Sequence, residues 1–379
     1  MPKGTVLITG GAGFIGSHLA DELLRHGYDV RALDNLSPQV HGPNASRPDY
    51  LDDDVELIVG DVREPDDVRE ALDGVDAVYH FAAAVGVGQS MYEIANYTSL
   101  NNLGTAVLLE GMVERAKRRP FERLVVASSM SIYGEGLYSA PGGTVSRGME
   151  RTAQQLKSHE WEVRNNRNEV LAPMPTPESK PPTLASVYAL SKFDQERMSL
   201  MVGRAYGIPT VALRFFNVFG TRQALSNPYT GVLAIFASRL MNERPPMIFE
   251  DGLQQRDFVS VYDVAQACRL ALQVPDATGS GGVFNVGSGR PRTVLEVAEK
   301  MARVMDRQHI DPEVSGKYRV GDIRHCFADI RLARRVLGYE PKVDSEEGLS
   351  ELAEWLEGQE AEDHVAKARA ELDARGLAI

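Results

Sequence analysis

A tyrosine and a lysine stand four residues apart in the segment YALSK, residues 188–192. On a helix, side chains at this spacing lie on one face. A free tyrosine, with a pKa of about 10, is a poor base at neutral pH, but a neighbouring ammonium favours the phenolate. Tyr188 and Lys192 could therefore remove a proton from an alcohol while a hydride leaves the same carbon. Taken alone, the spacing more often marks a solvated helix face.

Three serine hydroxyls occur in SSMSIYG, residues 128–134, directly after the apolar run RLVVA. The run predicts a buried strand, so the serines lie at its carboxyl end. Ligands of parallel α/β sheets bind at that edge, where a hydroxyl can hydrogen-bond an alcohol and stabilise developing alkoxide charge. The alternative is that Ser128, Ser129 and Ser131 only satisfy backbone groups at a strand end.

The segment GGAGFIG, residues 10–16, separates a predicted strand, TVLITG, from a predicted helix, FIGSHLADELLRHG. This is the context that a dinucleotide-binding fingerprint requires. Glycine lets backbone N–H groups approach a pyrophosphate, and the helix N-terminus stabilises the negative charge. The candidate cofactor residues of this turn are Gly10, Gly13, Phe14, Ile15 and Gly16. The alternative is a tight turn that binds nothing.

Asp34 ends the second predicted strand, close to the distance of about 20 residues at which an acidic residue follows such glycines. Its carboxylate would accept hydrogen bonds from the adenosine ribose hydroxyls and repel a 2′-phosphate, which favours NAD over NADP. A capping role in DNLS is the alternative. Asp61, after the third predicted strand, could meet the adenine edge together with Val62, or it could be an ordinary turn carboxylate.

The elements that must position these residues alternate along the first part of the chain. Helical patterns separate the strand candidates TVLITG, DVRALD, VELIVGD, DAVYHFAA and RLVVASS. This rhythm predicts βαβ units and a parallel sheet covered on both faces. The fold class is therefore α/β, a Rossmann-type doubly wound parallel sheet with a smaller C-terminal substrate-binding domain.

Residues 136–183 interrupt the rhythm with a polar segment that has Pro and Gly at both ends. We expect an insertion loop there, with one short helix around 148–158. The predicted domains are an NAD-binding domain, residues 1–214 and 256–287, and a substrate-binding domain, residues 215–255 and 288–379.

Composition narrows the function classes. The 379 residues carry a formal net charge of −12, with a sequence pI of about 5.3, which argues against nucleic acid and anionic membranes as partners. Two cysteines, Cys268 and Cys326, cannot form a disulfide framework or a zinc knuckle alone, and we expect no metal. No run approaches the roughly 18 apolar residues of a membrane helix, and the N-terminus lacks the pattern of a secretory signal. These features favour a cytoplasmic enzyme.

With these glycine, serine and Tyr–Lys motifs, the chain resembles the extended short-chain dehydrogenase/reductase family, which includes nucleotide-sugar epimerases and dehydratases. The resemblance covers nearly the full length, apart from the insertion and about the last 25 residues. It is carried by the motifs GGAGFIG, DN at 34–35, HFAA at 80–83, NNLGT at 101–105, SSMSIYG, YALSK, RFFNVFGTRQ at 214–223 and QQRDFVSVYDVA at 254–265.

The resemblance implies roles for individual residues. Relatives have their catalytic serine or threonine four residues before the tyrosine of YG, which here is Ser129, to act with Tyr188 and Lys192. Lys192 is also expected to contact the nicotinamide ribose. Further cofactor residues implied by the motifs are Asn35, Phe81, Ala82, Ala83 and Asn101, although Asn101 could equally support the sheet edge alone. The family's dehydratases and decarboxylases carry an acid at one of the two positions that are here Met130 and Ser131, so its absence favours hydride chemistry alone, as in a 4-epimerase.

The resemblance also implies a nucleotide-diphosphate sugar as the substrate. Its candidate binding residues are Ser129, Ser131, Asn217, Val232, Arg256, Arg319 and Asp322. An arginine fork suits a pyrophosphate, and an amide can anchor diphosphate or sugar oxygens. Surface salt-bridging is the alternative for Arg319.

Within the family, the chain looks most like the dTDP-L-rhamnose 4-epimerase group, on the segments AAAVGVGQSMYE, SSMSIYGEGLY and RQALSNPYTGVLAIF. Alternatives are a UDP-glucose-type 4-epimerase, a nucleotide-4-ketosugar reductase, or a non-catalytic NAD-binding sensor. Family resemblance further implies a homodimer formed through helices that include the YALSK helix.

Overall fold

A computed structural model describes residues 3–43, 45–146, 150–225, 231–318, 322–359, 370–371 and 374–376 of the chain. Its strands are β1 Thr5–Thr9, β2 Asp29–Asp34, β3 Glu56–Val59, β4 Ala77–His80, β5 Arg123–Ser129, β6 Leu137–Ser139, β7 Val145–Ser146, β8 Ala172–Met174, β9 Thr210–Phe215, β10 Asn217–Phe219, β11 Met247–Ile248, β12 Gln255–Ser260, β13 Val283–Val286, β14 Pro291–Thr293, β15 Glu313–Val314 and β16 His325–Cys326.

The helices alternate with these strands through much of the chain. They are α1 Phe14–Arg25, α2 Pro38–His41, α3 Pro65–Leu72, α4 Val87–Ser90, α5 Ile94–Tyr97, α6 Gly104–Ala116, α7 Ala153–Lys157, α8 Val187–Tyr206, α9 Val232–Met241, α10 Val261–Gln273, α11 Asp276–Gly279, α12 Val294–Val304, α13 Arg331–Leu337 and α14 Ser345–Leu356. A π-helical turn, Thr98–Leu103, precedes α6, and a 3₁₀ turn, Met130–Tyr133, follows β5.

The main sheet has seven strands in the order β13-β9-β5-β4-β1-β2-β3, and every adjacent pair is parallel. Strand order reverses between β1 and β4, which is where doubly wound sheets bind ligands at their carboxyl edge. Helices cover both faces, so β4 and β5 are buried along their whole lengths. The predicted Rossmann-type α/β class is confirmed.

A smaller sheet follows, in which β12 pairs with β10, β14 and β16. Helices α9, α12 and α14 pack their apolar residues around Phe219 and Phe258 of this sheet, in one buried cluster. The segment SEEGLSELAEWL forms α14, with Leu349, Leu352 and Leu356 buried. Asp344 caps this helix by accepting a hydrogen bond from the N–H of Glu346.

The insertion, residues 136–183, has more regular structure than the loop that we expected. It contains a three-stranded antiparallel sheet in the order β7-β6-β8. The single predicted helix corresponds to α7, which is shorter than the predicted range 148–158. The strands were missed because each has only two or three residues, too few to show an alternating pattern.

Candidate active site

The glycine segment forms the turn between β1 and α1. Gly10 has a φ of +71°, a left-handed conformation that glycine adopts without strain. A Cβ on Gly16 would overlap the carbonyl oxygen of Gly10, so the backbone is packed too closely for a side chain. The first N–H groups of α1 lack acceptors within the helix and lie beyond the carboxyl end of β1. This arrangement fits the pyrophosphate of a dinucleotide.

Asp34 is buried at the end of β2, beside the glycine turn. Its Oδ2 accepts a hydrogen bond of 3.0 Å from the N–H of Ala12, and its Oδ1 accepts one of 2.9 Å from Leu36. These bonds fix the carboxylate at the sheet edge. Each carboxylate oxygen has a further lone pair, so the residue can still accept from ribose hydroxyls.

Asn35 and Asp61 meet at the same edge. The Asn35 amide donates to Asp61 over 3.3 Å, and the Arg63 guanidinium contacts that carboxylate at 2.6 Å. Hydrogen bonds from Arg63 lower the pKa of Asp61, which therefore stays ionised near neutral pH. Val62 is buried. Contact of Asp61 and Val62 with adenine stays a prediction.

The loop after β4 carries Phe81, Ala82 and Ala83 and lies against the glycine turn. The N–H groups of Phe81 and Ala82 each donate a hydrogen bond of 3.2 Å to Oγ1 of Thr9. Asn101 holds the next residue from the other side, because it accepts from the N–H of Ala84 at 2.7 Å and donates to its carbonyl at 3.1 Å. Asn101 also donates to Ser191 of α8. These bonds support its alternative role as a brace of the sheet edge.

Ser129 and Tyr188 are brought together, as the motifs predict. Ser129 ends β5, and Tyr188 lies in the first turn of α8, whose N-cap Ser186 accepts from the N–H of Ala189. Burial raises the pKa of Tyr188, and the nearby hydroxyl of Ser129 opposes this shift. Ser131 donates to Oγ of Ser129 at 2.9 Å from the 3₁₀ turn. The two serines therefore form a hydrogen-bonded pair of hydroxyls near the tyrosine.

Lys192 lies one turn beyond Tyr188 and is buried. Its ammonium donates a hydrogen bond of 2.7 Å to Oε1 of Gln195. Burial lowers the pKa of Lys192 to about 7, and the charge of Glu196 opposes that shift. Its predicted effect on the pKa of Tyr188 and its contact with a ribose stay predictions.

A buried polar network continues from Gln195 to the cofactor turn. The Gln195 amide donates to Thr105 at 2.9 Å, and Thr105 donates in turn to the carbonyl of Asn101. His80 contacts Thr105 and Thr9, each at 2.8 Å. Because Thr105 uses its own proton on Asn101, the network assigns the His80 proton to Nε2. Burial lowers the pKa of His80 to about 3, so this ring is neutral at physiological pH.

On the substrate side, Asn217 begins β10, and its Oδ1 is buried without a hydrogen-bond partner among the described residues. An unpaired buried acceptor is costly, so this oxygen suits a ligand that brings a donor. Val232 is the first residue of α9, after Gly231 with a φ of +58°.

Arg256 and Asp322 face each other, with Nη2 of the arginine 3.7 Å from a carboxylate oxygen. Arg256 also donates to the carbonyl groups of Ile323 and Arg324. These carbonyl groups therefore hold one side of the guanidinium, and the Arg256 side chain is 13% exposed. Arg319 lies outside the described residues.

Sequence reasoning missed Gln195 and the use of His80. His80 lies within the motif HFAA and Gln195 lies three residues after YALSK, but nothing in their spacing predicts that they meet. Their polarity on otherwise buried elements was the available signal, since buried polar side chains require partners.

Within the part of the chain that the structure describes, no group of three or more His, Cys, Asp or Glu side chains could hold a metal ion. No helix of that part is both long and apolar enough to cross a membrane.

Comparisons with known proteins agree with this geometry. The sequence model of the NAD dependent epimerase/dehydratase family matches residues 6–153 and 168–287. A dTDP-L-rhamnose 4-epimerase of Burkholderia thailandensis is 34% identical over 360 residues, which cover 93% of this chain and 94% of the relative. A UDP-glucose 4-epimerase of Halalkalibacterium halodurans is 30% identical over 362 residues, covering 92% of this chain and 94% of the relative.

Among solved structures, the Thermus thermophilus UDP-glucose 4-epimerase in complex with NAD superimposes with a TM-score of 0.71. It is 31% identical in sequence, and the match covers 94% of this chain and all of the other. A Rossmann-type sheet with a glycine turn and a Ser–Tyr–Lys group thus defines an NAD-dependent enzyme of the short-chain dehydrogenase/reductase type. The chain belongs to the NAD dependent epimerase/dehydratase family. The predicted family, the enzyme class and NAD as cofactor are confirmed.

Proposed function

We propose that this enzyme is an NAD-dependent nucleotide-sugar 4-epimerase, with Ser129, Tyr188 and Lys192 as its catalytic residues. The observation that carries the proposal is the placement of Ser129, at the end of β5, near Tyr188 in the first turn of α8, at the carboxyl edge of the main sheet. Its relatives at 34% and 30% identity are both 4-epimerases by name.

In this proposal Tyr188 removes the proton of the sugar's C4 hydroxyl, and Ser129 hydrogen-bonds the same oxygen. NAD, when bound, supplies the hydride acceptor and donor for C4. Ser131 donates to Ser129, which leaves the Ser129 proton available for the substrate or for Tyr188. The 4-keto sugar then rotates in the pocket. Hydride returns to the other face of C4, Tyr188 returns its proton to the C4 oxygen, and the configuration at C4 is inverted.

The residues after β5 support epimerisation rather than dehydration. Dehydration of the sugar requires acid–base groups for C5 and C6 in addition to those for C4. Met130 and Ser131 occupy the 3₁₀ turn where the family's dehydratases and decarboxylases carry an acid, and neither can act as one.

The pyrophosphate must stay anchored while the sugar turns. We propose Arg256 and Arg319 as its anchoring residues, Asp322 as an acceptor for hydroxyl groups of the nucleotide sugar, Asn217 as a ligand of diphosphate or sugar oxygens, and Val232 as a neighbour of the nucleobase. The observation that favours this surface is the Oδ1 of Asn217, which has no hydrogen-bond partner in the part of the chain that the structure describes. The NAD contacts predicted from the motifs complete the proposed site.

For the substrate we propose dTDP-L-rhamnose, converted to dTDP-6-deoxy-L-talose, on the basis of the Burkholderia relative. This would make the enzyme part of deoxysugar biosynthesis in the cytoplasm. The second candidate is a UDP-glucose-type substrate, favoured by the Halalkalibacterium relative and by the Thermus structure.

The test is proton NMR of the purified enzyme with dTDP-L-rhamnose and only catalytic NAD. Appearance of the C4 epimer without net NADH formation supports both the reaction and the sugar. If dTDP-L-rhamnose is unchanged but UDP-glucose is converted to its C4 epimer, the result supports the epimerase reaction and contradicts the proposed sugar. Inertness toward both, or stoichiometric use of reduced cofactor with a 4-keto sugar, contradicts the epimerase proposal.

We also propose that two copies associate through α8. Leu190 and Met201 are 46% and 47% exposed, and they share a helix face because they are about three turns apart. Leu103, 52% exposed, belongs to the adjoining π-helical turn, where Asn102 donates to Asp194 of α8. Such clustered aliphatic exposure suits an interface between copies. Light scattering of the double variant Leu190→Arg, Met201→Glu should report a monomer if the wild type is a dimer.

The domain boundaries also remain a proposal. The region 256–287 includes β12, which pairs only with strands of the smaller sheet among the described residues, and α10, whose Val264 and Ala267 pack in the core of the main sheet. The polypeptide therefore passes between the two proposed domains near Ser260.

A further inference from the structure

The insertion is anchored to the segment that carries Asp322. Arg151 of the insertion is buried, and its guanidinium donates 2.9 Å to the carbonyl oxygen of Asp322 and 2.7 Å to the carboxylate of Glu250. It also donates to the carbonyl of Trp161, within the insertion itself. The Arg151 side chain thus links the insertion to Glu250, which follows β11, and to Asp322.

The backbone after Asp322 is held in the same manner. Glu135, at the entry of the insertion, accepts hydrogen bonds from the N–H groups of Arg324 and His325, at 2.8 and 3.2 Å. The N–H of Gly136 donates to the carbonyl of His325. The remaining carbonyls, of Ile323 and Arg324, accept from Arg256. Backbone groups of residues 323–325 are therefore hydrogen-bonded both by the insertion and its entry and by Arg256.

The side chains of this segment point to the insertion as well. Arg324 is fully buried and pairs with Glu162 of the insertion at 2.5 Å, and with Asp251 through two hydrogen bonds of 2.6 and 2.9 Å. His325 contacts the other oxygen of Glu162 at 3.1 Å. Burial of these charges is tolerable only because each has partners of opposite sign.

A second anchor lies just before Arg319. Tyr318 is buried in a small cluster with Leu156 and Trp161 of the insertion, and the rings of Trp161 and Tyr318 are 6.3 Å apart. Tyr318 and Asp322 therefore both contact the insertion. Tyr318 does so by apolar packing, and Asp322 by the hydrogen bond from Arg151.

We propose that the insertion positions residues that bind the nucleoside diphosphate of the substrate, and that Arg151 and Trp161 are the positioning residues of Asp322 and Tyr318. The inference rests on the proposed function, because it assumes that Arg256 and Asp322 bind a nucleoside diphosphate. Arg151 does not touch the reacting carbon. Its loss should therefore weaken binding in the ground state and the transition state alike, and raise KM more than it lowers kcat.

The experiment compares full-length Arg151→Met with Arg164→Met, a matched control. Arg164 is also in the insertion, but its described contacts, Asn168 and Glu160, lie within the insertion. Binding of dTDP and of UDP is measured by calorimetry, and kcat and KM with whichever sugar nucleotide is turned over. We expect Arg151→Met to weaken diphosphate binding and raise KM about tenfold or more, with kcat changed by less than about threefold. Arg164→Met should match the wild type.

Two further variants keep the test open if Arg151→Met does not fold. Arg151→Lys retains the charge but cannot reach both Glu250 and Asp322 with a planar fork, so its affinity should be intermediate. Trp161→Leu removes the second anchor and should also weaken binding.

The outcomes separate this inference from the proposed function. If the wild type binds neither diphosphate, both are wrong. If the wild type binds one, and the folded Arg151 and Trp161 variants bind it equally well, only this inference is wrong. Equal weakening by Arg164→Met would also overturn it, because the effect would then belong to the stability of the insertion in general.

Discussion

The ammonium of Lys192 donates a hydrogen bond of 2.7 Å to the side chain of Gln195, three residues further along α8. Gln195 also donates a hydrogen bond to Thr105. Thr105 in turn contacts His80 and donates to the carbonyl of Asn101. The lysine is therefore fixed to the same network that holds the loops around the cofactor turn. The fold therefore supplies a partner that orients the Lys192 side chain.

The first prediction is that Gln195→Leu lowers kcat. Leucine has a similar volume but leaves Lys192 without its acceptor, so the ammonium moves or loses its proton more readily. We expect kcat to fall on the order of tenfold or more, since small misplacements of catalytic groups are costly. The pH dependence of kcat should also shift, which simple loss of packing would not produce.

Gln273→Leu is the control for that substitution. Gln273 is exposed at the end of α10, where it contacts Arg269 and Tyr28. It should leave kcat and its pH profile unchanged. A Gln195→Leu enzyme with a wild-type profile would show that Lys192 does not need this partner.

The second prediction separates the three hydroxyls. Tyr188→Phe removes the proposed base and should lower turnover by about 100-fold or more, whereas bound NAD is retained. Ser129→Ala removes a donor to the C4 oxygen, with an expected loss on the order of 100-fold. Ser131→Ala removes the hydroxyl that donates to Ser129 and should cost less than either. Single-turnover rates and released nucleotide measure both quantities. A near-normal rate for Tyr188→Phe would refute its assignment.

The third prediction concerns the choice of cofactor. Asp34→Asn keeps an acceptor for the N–H of Ala12 but removes the negative charge that repels a 2′-phosphate. We expect the ratio of NAD to NADP affinity to fall by about tenfold or more. Without the negative charge, the hydrogen bonds to the ribose of NAD are weaker, and the 2′-phosphate of NADP is no longer repelled. Titration of cofactor-free protein with both nucleotides measures the ratio. If it does not change, Asp34 does not read the ribose.

The main sheet was predictable because its strands are short apolar runs at regular intervals. DVRALD and RLVVASS correspond to β2 and β5 without any shift. The glycine turn and the Ser–Tyr–Lys group were also visible, because each depends on residue types at fixed local spacing. Ser129 needed the family resemblance, since three neighbouring serines cannot be distinguished by spacing alone.

The long-range polar contacts could not be predicted. Arg151 and Asp322 are far apart in sequence, and Arg151 lies in a segment without periodic hydrophobicity. His80 reaches Gln195 across the sheet edge through Thr105, a contact that only the tertiary fold creates. Such pairs have no signal in a single sequence, because an arginine or a histidine in a polar segment has many possible partners.

The last prediction uses the pKa of Glu162. Hydrogen bonds from His325 and Arg324 lower it to about 2, against a usual value of 4.5. Because the folded-state pKa is depressed, the stabilisation is complete above pH 4.5 and is lost as the pH falls toward 2. The side chain is 38% exposed, so solvent reduces the effect, and we expect Glu162→Gln to lower the free energy of unfolding at pH 7 by about 1–2 kcal/mol.

Urea unfolding at pH 7 and at pH 4 measures this difference, which should shrink at pH 4 because the unfolded wild type then takes up a proton at Glu162. Glu160→Gln is the control, since Glu160 lies on the surface and its ion pair with Arg164 has a distance of 3.4 Å. It should change stability little at either pH. A Glu162→Gln deficit that is equal at both pH values would mean that the carboxylate acts by packing, and that its charge does not hold the insertion to Arg324 and His325.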